Sequence, residues 1–130
     1  MGITVTWDDE EQTMLYLHFE PEWMWDTYYT AIRQVETLAG TVTHEVDLIV
    51  DVRDVGRVPG DYILHARRGL SLLPDNFGRA ALIGTGAQPL LSVTVDLLQR
   101  AFPVWKDRLF FAESLPEARA ELARRRGSSE

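Results

Sequence analysis

Short strand patterns alternate with helical patterns along most of this chain. Alternating apolar and polar residues at 3–7 and 14–19 flank an acidic turn, which predicts a β-hairpin. Apolar runs at 46–52, 79–84 and 109–112 predict further strands, each preceded by a helical pattern. Strands that alternate with helices form a mostly parallel sheet with right-handed crossovers. The sequence therefore predicts an α/β fold with a mixed, mostly parallel sheet and the element order β-β-α-β-α-β-α-β-α.

Four helices are predicted between and after the later strands. The first ends at Gly40, because glycine is common just beyond the last helical residue. Ser114 and Glu117 form a capping box at the start of the last helix. Three arginines at 124–126 end that helix, and we interpret them as a solvated terminus that is favourable to the helix dipole. The predicted helices cover about 25–39, 62–73, 89–102 and 115–126.

Length and composition indicate one folded domain. The chain has 130 residues, of which 45% are hydrophobic, and it has no Cys. Such a chain buries a core without disulfides, and the lack of Cys excludes Cys nucleophiles and Cys-based metal sites. We predict a single domain over 1–126 and a disordered tail over 127–130. The formal net charge of −7 disfavours nucleic acid as a partner.

The sequence also bears on where the protein acts. No apolar stretch approaches the roughly 20 residues that span a bilayer. The first residues show no basic region ahead of an apolar one, which a signal peptide requires. We therefore expect a cytoplasmic protein that does not bind membranes.

Three segments carry the features of a known family. Residues 48–53 (Leu-Ile-Val-Asp-Val-Arg) form the central strand, 58–62 (Val-Pro-Gly-Asp-Tyr) begin the next helix, and 111–118 lead into the last helix. Together they resemble the STAS family, which includes bacterial anti-sigma-factor antagonists and the tails of sulfate transporters. The resemblance is mainly architectural and covers nearly the whole chain. It implies a STAS-like domain that works as a non-catalytic regulatory or protein-interaction module.

The family's usual switch is a phosphorylatable Ser at the start of the helix after the central strand. In this chain that position falls on 59–61, and no Ser or Thr occurs between Val46 and Leu70. The resemblance therefore implies a STAS-like module without the phosphoserine switch. Asp61 either mimics the phosphoserine charge permanently or serves as a helix cap.

Charged residues gather where the central strand ends. Open α/β sheets bind ligands beyond the carboxyl ends of their strands, so this is the best-placed candidate site. A solvated loop with mutually compensating charges is the alternative. We predict that another protein binds here through Arg53, Asp54, Arg57, Pro59, Gly60 and Asp61.

A catalytic role is disfavoured by the same pattern. A small hydrolase or isomerase could use Asp51 or Asp54 as a base, which requires a buried carboxyl with a raised pKa. A phosphoacceptor Asp also ends the central strand of receiver domains, but Lys106, the only Lys, precedes the last strand instead of ending it. His residues lack metal-ligand spacing, and no nucleophile motif occurs. We predict no catalytic residue, no metal and no cofactor.

Gly84, Thr85 and Gly86 suggest the principal rival function. A glycine-containing turn between a strand and a helix can present backbone N–H groups to an anion. The segment lacks the remaining glycine of a dinucleotide fingerprint and the Lys-Ser/Thr of a P-loop. Glycine is also used at such turns for backbone geometry alone. Small-ligand or anion binding at the strand ends is therefore the alternative function.

Two apolar features are candidates for an interface. Aromatic residues concentrate around Trp23, where they form either a contact surface or core packing against the hairpin. The helix predicted at 89–102 has an apolar arc of roughly 200°, wider than a helix on a sheet needs. The excess is covered either by the last helix or by a homodimer or other partner. The candidate interface residues are Trp23, Leu90, Val93 and Leu97.

Overall fold

The computed structural model describes residues 2–55, 60–84, 95–97, 99–100 and 107–128. They contain one five-stranded sheet in which the strands lie in chain order. β1 and β2 are antiparallel, and every other neighbouring pair is parallel, which confirms the predicted α/β class with a mixed, mostly parallel sheet. The strands are β1 (Ile3–Trp7), β2 (Met14–Phe19), β3 (Val46–Asp51), β4 (Phe77–Ile83) and β5 (Leu109–Ala112).

The helices follow the predicted order. They are α1 (Trp25–Ala39), α2 (Tyr62–Ser71) and α3 (Leu115–Ser128). Residues 95–97 and 99–100 are also helical, and the rest of the helix predicted at 89–102 lies outside the described residues. α3 continues to Ser128, past the predicted boundary at 126.

The hairpin turn is held by Asp9. The backbone N–H groups of Thr13 and Met14 donate to Asp9 Oδ1 at 2.9 and 3.0 Å. Burial would raise the pKa of Asp9, but these hydrogen bonds and one from the Thr13 hydroxyl lower it overall. The turn sets the register in which Ile3 lies opposite Phe19.

The two faces of the sheet bury separate apolar clusters, because successive strand residues point to opposite faces. On the first face Leu17 and Leu48 pack in one cluster with Val35 of α1. On the second face Ile49 packs in another cluster with Leu122 of α3. α1 and α3 therefore lie on opposite sides of the sheet.

The positions of the helices show what covers part of the broad apolar helix predicted at 89–102. Val95 is 6% exposed and belongs to the first-face cluster, whereas Ala118 and Leu122 of α3 are buried on the second face. Of the two alternatives for the excess apolar arc, cover by the last helix is therefore excluded for this part of the helix. Leu97 remains 44% exposed.

Two helix ends differ from their predicted chemistry. α1 ends at Ala39 as expected, but Gly40 has a φ of −68°, so the left-handed conformation that favours glycine is not used. The terminus of α3 is not simply solvated, since Arg126 Nη2 donates to the buried carboxylate of Asp47 at 3.0 Å. The interpretation of 124–126 as a solvated end is therefore wrong for Arg126.

Candidate functional site

The carboxyl ends of β2, β3 and β4 lie at one edge of the sheet because these strands are parallel. Asp51 is the last residue of β3 and lies opposite His18 of β2 in the strand register. Asp54 follows shortly afterwards, and Asp61 immediately precedes α2. The edge where the candidate site was predicted therefore combines residues from the hairpin with residues of the central strand.

Asp51 is the buried centre of this edge, with 2% of its surface exposed. Arg53 donates from Nε to Oδ1 at 3.0 Å and from Nη2 to Oδ2 at 2.7 Å, and its backbone N–H donates to Oδ1 at 3.1 Å. The Tyr16 hydroxyl donates to Oδ2. Every oxygen of the carboxylate is therefore already bound within the chain.

These contacts fix the ionisation of the cluster. Burial would raise the pKa of Asp51, but the hydrogen bonds from Arg53 and Tyr16 outweigh it and lower the pKa to about 2. Burial, together with the hydrogen bond to Asp51, raises the pKa of Tyr16 to about 12. At neutral pH the cluster thus holds an ionised carboxylate and a neutral phenol. Asp51 does not have the raised pKa expected of a general base.

His18 and Asp54 form a second, more exposed pair beside the first. His18 Nε2 lies 2.8 Å from Asp54 Oδ2, and the two side chains are 32% and 59% exposed. The His18 ring stacks on Tyr16 with 6.3 Å between centroids. An exposed pair of this kind contributes little stability. Because the Asp54 side chain is exposed, it stays accessible to a partner.

Asp61 occupies the N-cap position of α2 in an uncommon conformation. Its φ of 61° and ψ of 31° are left-handed, and its side chain caps no N–H among the described residues. Only its backbone carbonyl takes part in the helix, accepting from the His65 N–H at 3.1 Å. The helix-cap interpretation of Asp61 is therefore wrong for its side chain. Outside glycine this conformation costs roughly 1–2 kcal/mol, although Asp and Asn adopt it more readily than other residues do.

Aromatic residues of α1 hold the chain just before α2. Trp25 Nε1 donates to the Gly60 carbonyl at 2.7 Å, and the Trp25 ring stacks on His65 at 4.5 Å with 21° between planes. Tyr29 Oη lies 2.8 Å from His65 Nδ1. The segment that contains Gly60 and Asp61 is thus attached to α1. Sequence reasoning assigned these aromatics to core packing or an interface and missed this positioning role.

The residues predicted to bind a partner have mixed positions. Arg53, Asp54, Gly60 and Asp61 lie at this edge, but the Arg53 guanidinium is engaged by Asp51. The predicted partner residues Arg57 and Pro59 lie outside the described residues.

One backbone N–H of the predicted anion site, that of Gly84, is not available to a ligand. Gly84 is buried, and its N–H donates to the Ala112 carbonyl at 3.4 Å, which extends the pairing between β4 and β5. That N–H is therefore already used within the sheet. Thr85 and Gly86 lie outside the described residues.

Trp23 packs inward more than an interface residue would. Its ring meets Phe19 and Trp25 edge to face at 5.1 and 4.8 Å, and it packs against the first-face cluster. This favours the core alternative for Trp23. Leu97 is exposed as the interface prediction requires, while Leu90 and Val93 lie outside the described residues.

Exposed apolar side chains accompany the acidic ones at the carboxyl edge. Met24 is 63% exposed and Leu64 is 45% exposed. They are chain neighbours of Trp25 and His65, whose rings stack, so both lie where α1 and α2 begin. We name the carboxyl-edge surface as Met24, Asp54, Asp61 and Leu64.

The described part of the chain contains no group of three or more His, Asp or Glu side chains that could hold a metal ion. None of the helices in that part is both long enough and apolar enough to cross a membrane.

Comparison with known proteins identifies no relative. No protein-family model, curated protein or solved structure matches the chain. The geometry of the carboxyl edge is therefore the basis of the functional argument.

Proposed function

We propose that this protein is a non-catalytic regulatory module that binds a partner protein through the carboxyl-edge surface. The single observation that carries the proposal is Asp61, an exposed Asp held left-handed without capping its helix. Such strain persists where the surrounding structure maintains it, and it concentrates at functional sites. The Trp25 hydrogen bond to Gly60 supplies that support here. We also propose the STAS-like arrangement as the finer description of the fold.

The chemistry of Asp51 supports binding over catalysis. Its carboxylate is ionised and engaged by Arg53 and Tyr16, so it is poorly suited to abstract a proton. The ion pair of Asp51 with Arg53 instead stabilises the end of β3, from which the chain continues to Asp54. A rigid element beneath a docking surface reduces the ordering cost of binding.

The surface also indicates the kind of partner. Asp54 and Asp61 present carboxylates, while the neighbouring Arg53 is neutralised within the chain. Met24 and Leu64 add exposed apolar groups of the kind that form the centre of protein interfaces. A partner with basic side chains around an apolar pocket complements this combination. Asp61 supplies permanently the negative charge that the STAS resemblance assigns to a phosphoserine.

Photo-crosslinking tests the proposal directly. A photoreactive residue replaces Leu64 in one protein and Asp75 in another, and both are expressed in the native host. Asp75 is exposed in the turn before β4, at the opposite edge of the sheet, and serves as the matched control. We expect a discrete protein adduct from position 64 and none from position 75.

The adduct partner is then purified and its affinity is measured by calorimetry. Asp61→Arg is expected to weaken binding at least about tenfold, which corresponds to about 1.4 kcal/mol, and Asp75→Arg is expected to leave it unchanged. Equal binding by wild type and Asp61→Arg would exclude the proposal. Equal crosslinking from both positions would exclude it as well.

A further inference from the structure

β1 is an edge strand without the usual protection against pairing. It lies at the end of the sheet, and β2 is its only partner strand among the described residues. Its sequence, Ile-Thr-Val-Thr-Trp, contains no charge, proline or glycine, in a chain whose net charge is −7. Natural edge strands are normally blocked by such residues, by bulges or by a cover. The strand therefore offers backbone groups that a further strand can bind.

The hydrogen bonds of the hairpin reveal which groups face outward. Glu20 N–H donates to the Gly2 carbonyl at 2.7 Å, and Asp8 N–H donates to the Met14 carbonyl at 2.8 Å. In an antiparallel pair the residues that bond to the partner strand alternate along each strand. Thr4 therefore also bonds to β2, as does the next even residue.

The odd residues of β1 consequently point their backbone groups away from the sheet. These are Ile3, Val5 and Trp7, each with one N–H and one carbonyl. Val5 and Trp7 are half-buried, so part of each residue is left for a neighbour to cover, whereas Ile3 is buried with 6% of its surface exposed.

We propose that the occupant of this edge is a second copy of the chain, paired antiparallel through β1 about a two-fold axis at Val5. In this register Val5 faces Val5 of the second copy, and Ile3 faces Trp7. All the outward N–H and carbonyl groups of both strands then find partners. A register shifted in either direction leaves some of them unpaired, so the strand is self-complementary in one register.

The side chains fit the same register. Thr4 comes opposite Thr6 of the second copy in a pair without backbone bonds, where side chains approach most closely. Thr–Thr pairs and pairs of aromatic with β-branched residues stabilise adjacent strands by roughly 0.2–1 kcal/mol each. Gly2 comes opposite Asp8, whose carboxylate is held by Arg119 at 2.7 Å and adds no unpaired charge. An isologous contact of this kind closes as a dimer and leaves no free copy of the edge.

A groove beside the edge gives the second copy more to cover. It has a volume of about 380 Å³ and is lined by Val5 of β1 and by residues of α1. Its α1 residues are Thr30, Arg33, Gln34, Thr37 and Leu38. The dimer extends the sheet across two copies and is argued from none of the residues of the carboxyl-edge surface, so it does not rest on the proposed partner binding.

A charge-swap experiment tests both the dimer and its register. Thr4 and Thr6 are exposed on the second face, so both accept charged side chains without loss of core packing. T4K/T6K places two Lys directly opposite each other across the axis, whereas T4K/T6E places Lys opposite Glu. Sedimentation equilibrium over a range of concentrations measures the dimer dissociation constant of each protein, and circular dichroism confirms that each is folded.

We expect wild type to dimerise, T4K/T6K to weaken the dimer at least about tenfold, and T4K/T6E to stay within about threefold of wild type. A wild-type monomer at about 100 µM overturns the proposal. Equal weakening by both double variants overturns the register.

Hydrogen exchange provides a readout that needs no substitution. In the dimer the amides of Val5 and Trp7 gain partners, so their exchange slows as protein concentration rises, whereas Ile3 is already buried and is a less sensitive probe. The Thr4 amide already bonds to β2 and changes little. Protection that does not depend on concentration would contradict the proposal.

Discussion

Arg126, near the end of α3, donates from Nη2 to the buried carboxylate of Asp47 at 3.0 Å, across a sequence separation of 79 residues. The Asp47 side chain is 1% exposed, and its Oδ1 accepts the Arg79 N–H at 2.8 Å. Arg126 also donates to the carbonyls of Thr13 and Glu45, at 3.2 Å each. One guanidinium therefore joins the last helix to the amino ends of β2 and β3.

Removing this guanidinium is predicted to destabilise the fold. Arg126→Ala leaves the carboxylate of Asp47 buried without its cation, which costs about 3 kcal/mol. Arg124→Ala is the matched control, because Arg124 is exposed and pairs only at the surface with Glu121, so its loss costs less than about 1 kcal/mol. Urea unfolding at pH 7 measures both.

The pH dependence of the stability loss in Arg126→Ala shows whether the buried carboxylate of Asp47 causes it. Burial raises the pKa of Asp47, and loss of Arg126 raises it further. As pH falls toward the ordinary Asp value of 3.8, Asp47 of Arg126→Ala becomes neutral in the folded protein before Asp47 of the wild type does, so the cost of the substitution shrinks. A cost that is equal for the two arginine variants, or constant with pH, would show that the pair is not what stabilises the helix end.

The fold was predictable where short-range patterns decide it. Alternation at 3–7 and 14–19 gave the hairpin, and apolar runs gave the central strand that ends at Asp51. Hydrophobic periodicity reports local geometry, and connection rules then restrict how strands join. The cover of the helix that contains Val95 was not predictable in the same way. Which face of the sheet a helix occupies depends on the order of the strands, not on the width of its apolar arc.

The site was only half predictable for a related reason. Asp51, Arg53 and Asp54 follow the central strand and were found by their position. Their partners Tyr16 and His18 lie on β2, and the sequence placed these two on one face of a strand without indicating its neighbour. The parallel pairing of β2 with β3 brings them together, and nothing local to the hairpin encodes that pairing.

Acid is predicted to weaken the fold through Asp51. The folded pKa of about 2 lies below the ordinary value of 3.8, so the carboxylate contributes stability above about pH 4 that is lost as pH falls toward 2. Asp51→Asn removes about 2 kcal/mol at pH 7, and its difference from wild type narrows between pH 4 and pH 2. Urea unfolding at pH 7, 4, 3 and 2 measures this difference.

Asp54→Asn is the control for that series. Asp54 is exposed, so its substitution changes stability by less than about 1 kcal/mol at every pH. A pH-independent gap between wild type and Asp51→Asn would mean that the ionised carboxylate does not stabilise the fold.

Gly69 is predicted to resist the exchange that usually stabilises a helix. Alanine is about 1 kcal/mol better than glycine inside a helix. A Cβ at Gly69, however, would lie 1.8 Å from Tyr28 Oη, where α2 meets α1. Gly69→Ala therefore destabilises by about 1–3 kcal/mol through overpacking.

A double-mutant cycle isolates this contact. Tyr28→Leu shortens the opposing side chain, so Gly69→Ala costs less in that background than in wild type. Arg68→Ala, an exposed site on the same helix, controls for helix propensity and is close to neutral. Equal costs of Gly69→Ala in both backgrounds would remove the steric explanation.

Asp61→Gly is predicted to separate stability from binding. Glycine adopts the left-handed conformation of this position without the steric cost that Asp bears, and the Asp side chain makes no capping bond among the described residues. Relief of the strain stabilises the protein by about 1 kcal/mol, measured as a rise in the urea midpoint. Loss of the carboxylate also lowers the affinity for the crosslinked partner, as Asp61→Arg does. Asp61→Asn bears a conformational cost similar to that of Asp but lacks the charge, so it should weaken binding of the partner with little change in stability. A destabilised Asp61→Gly protein would mean that the Asp61 side chain supports the fold, and the case for a strained docking residue would fail.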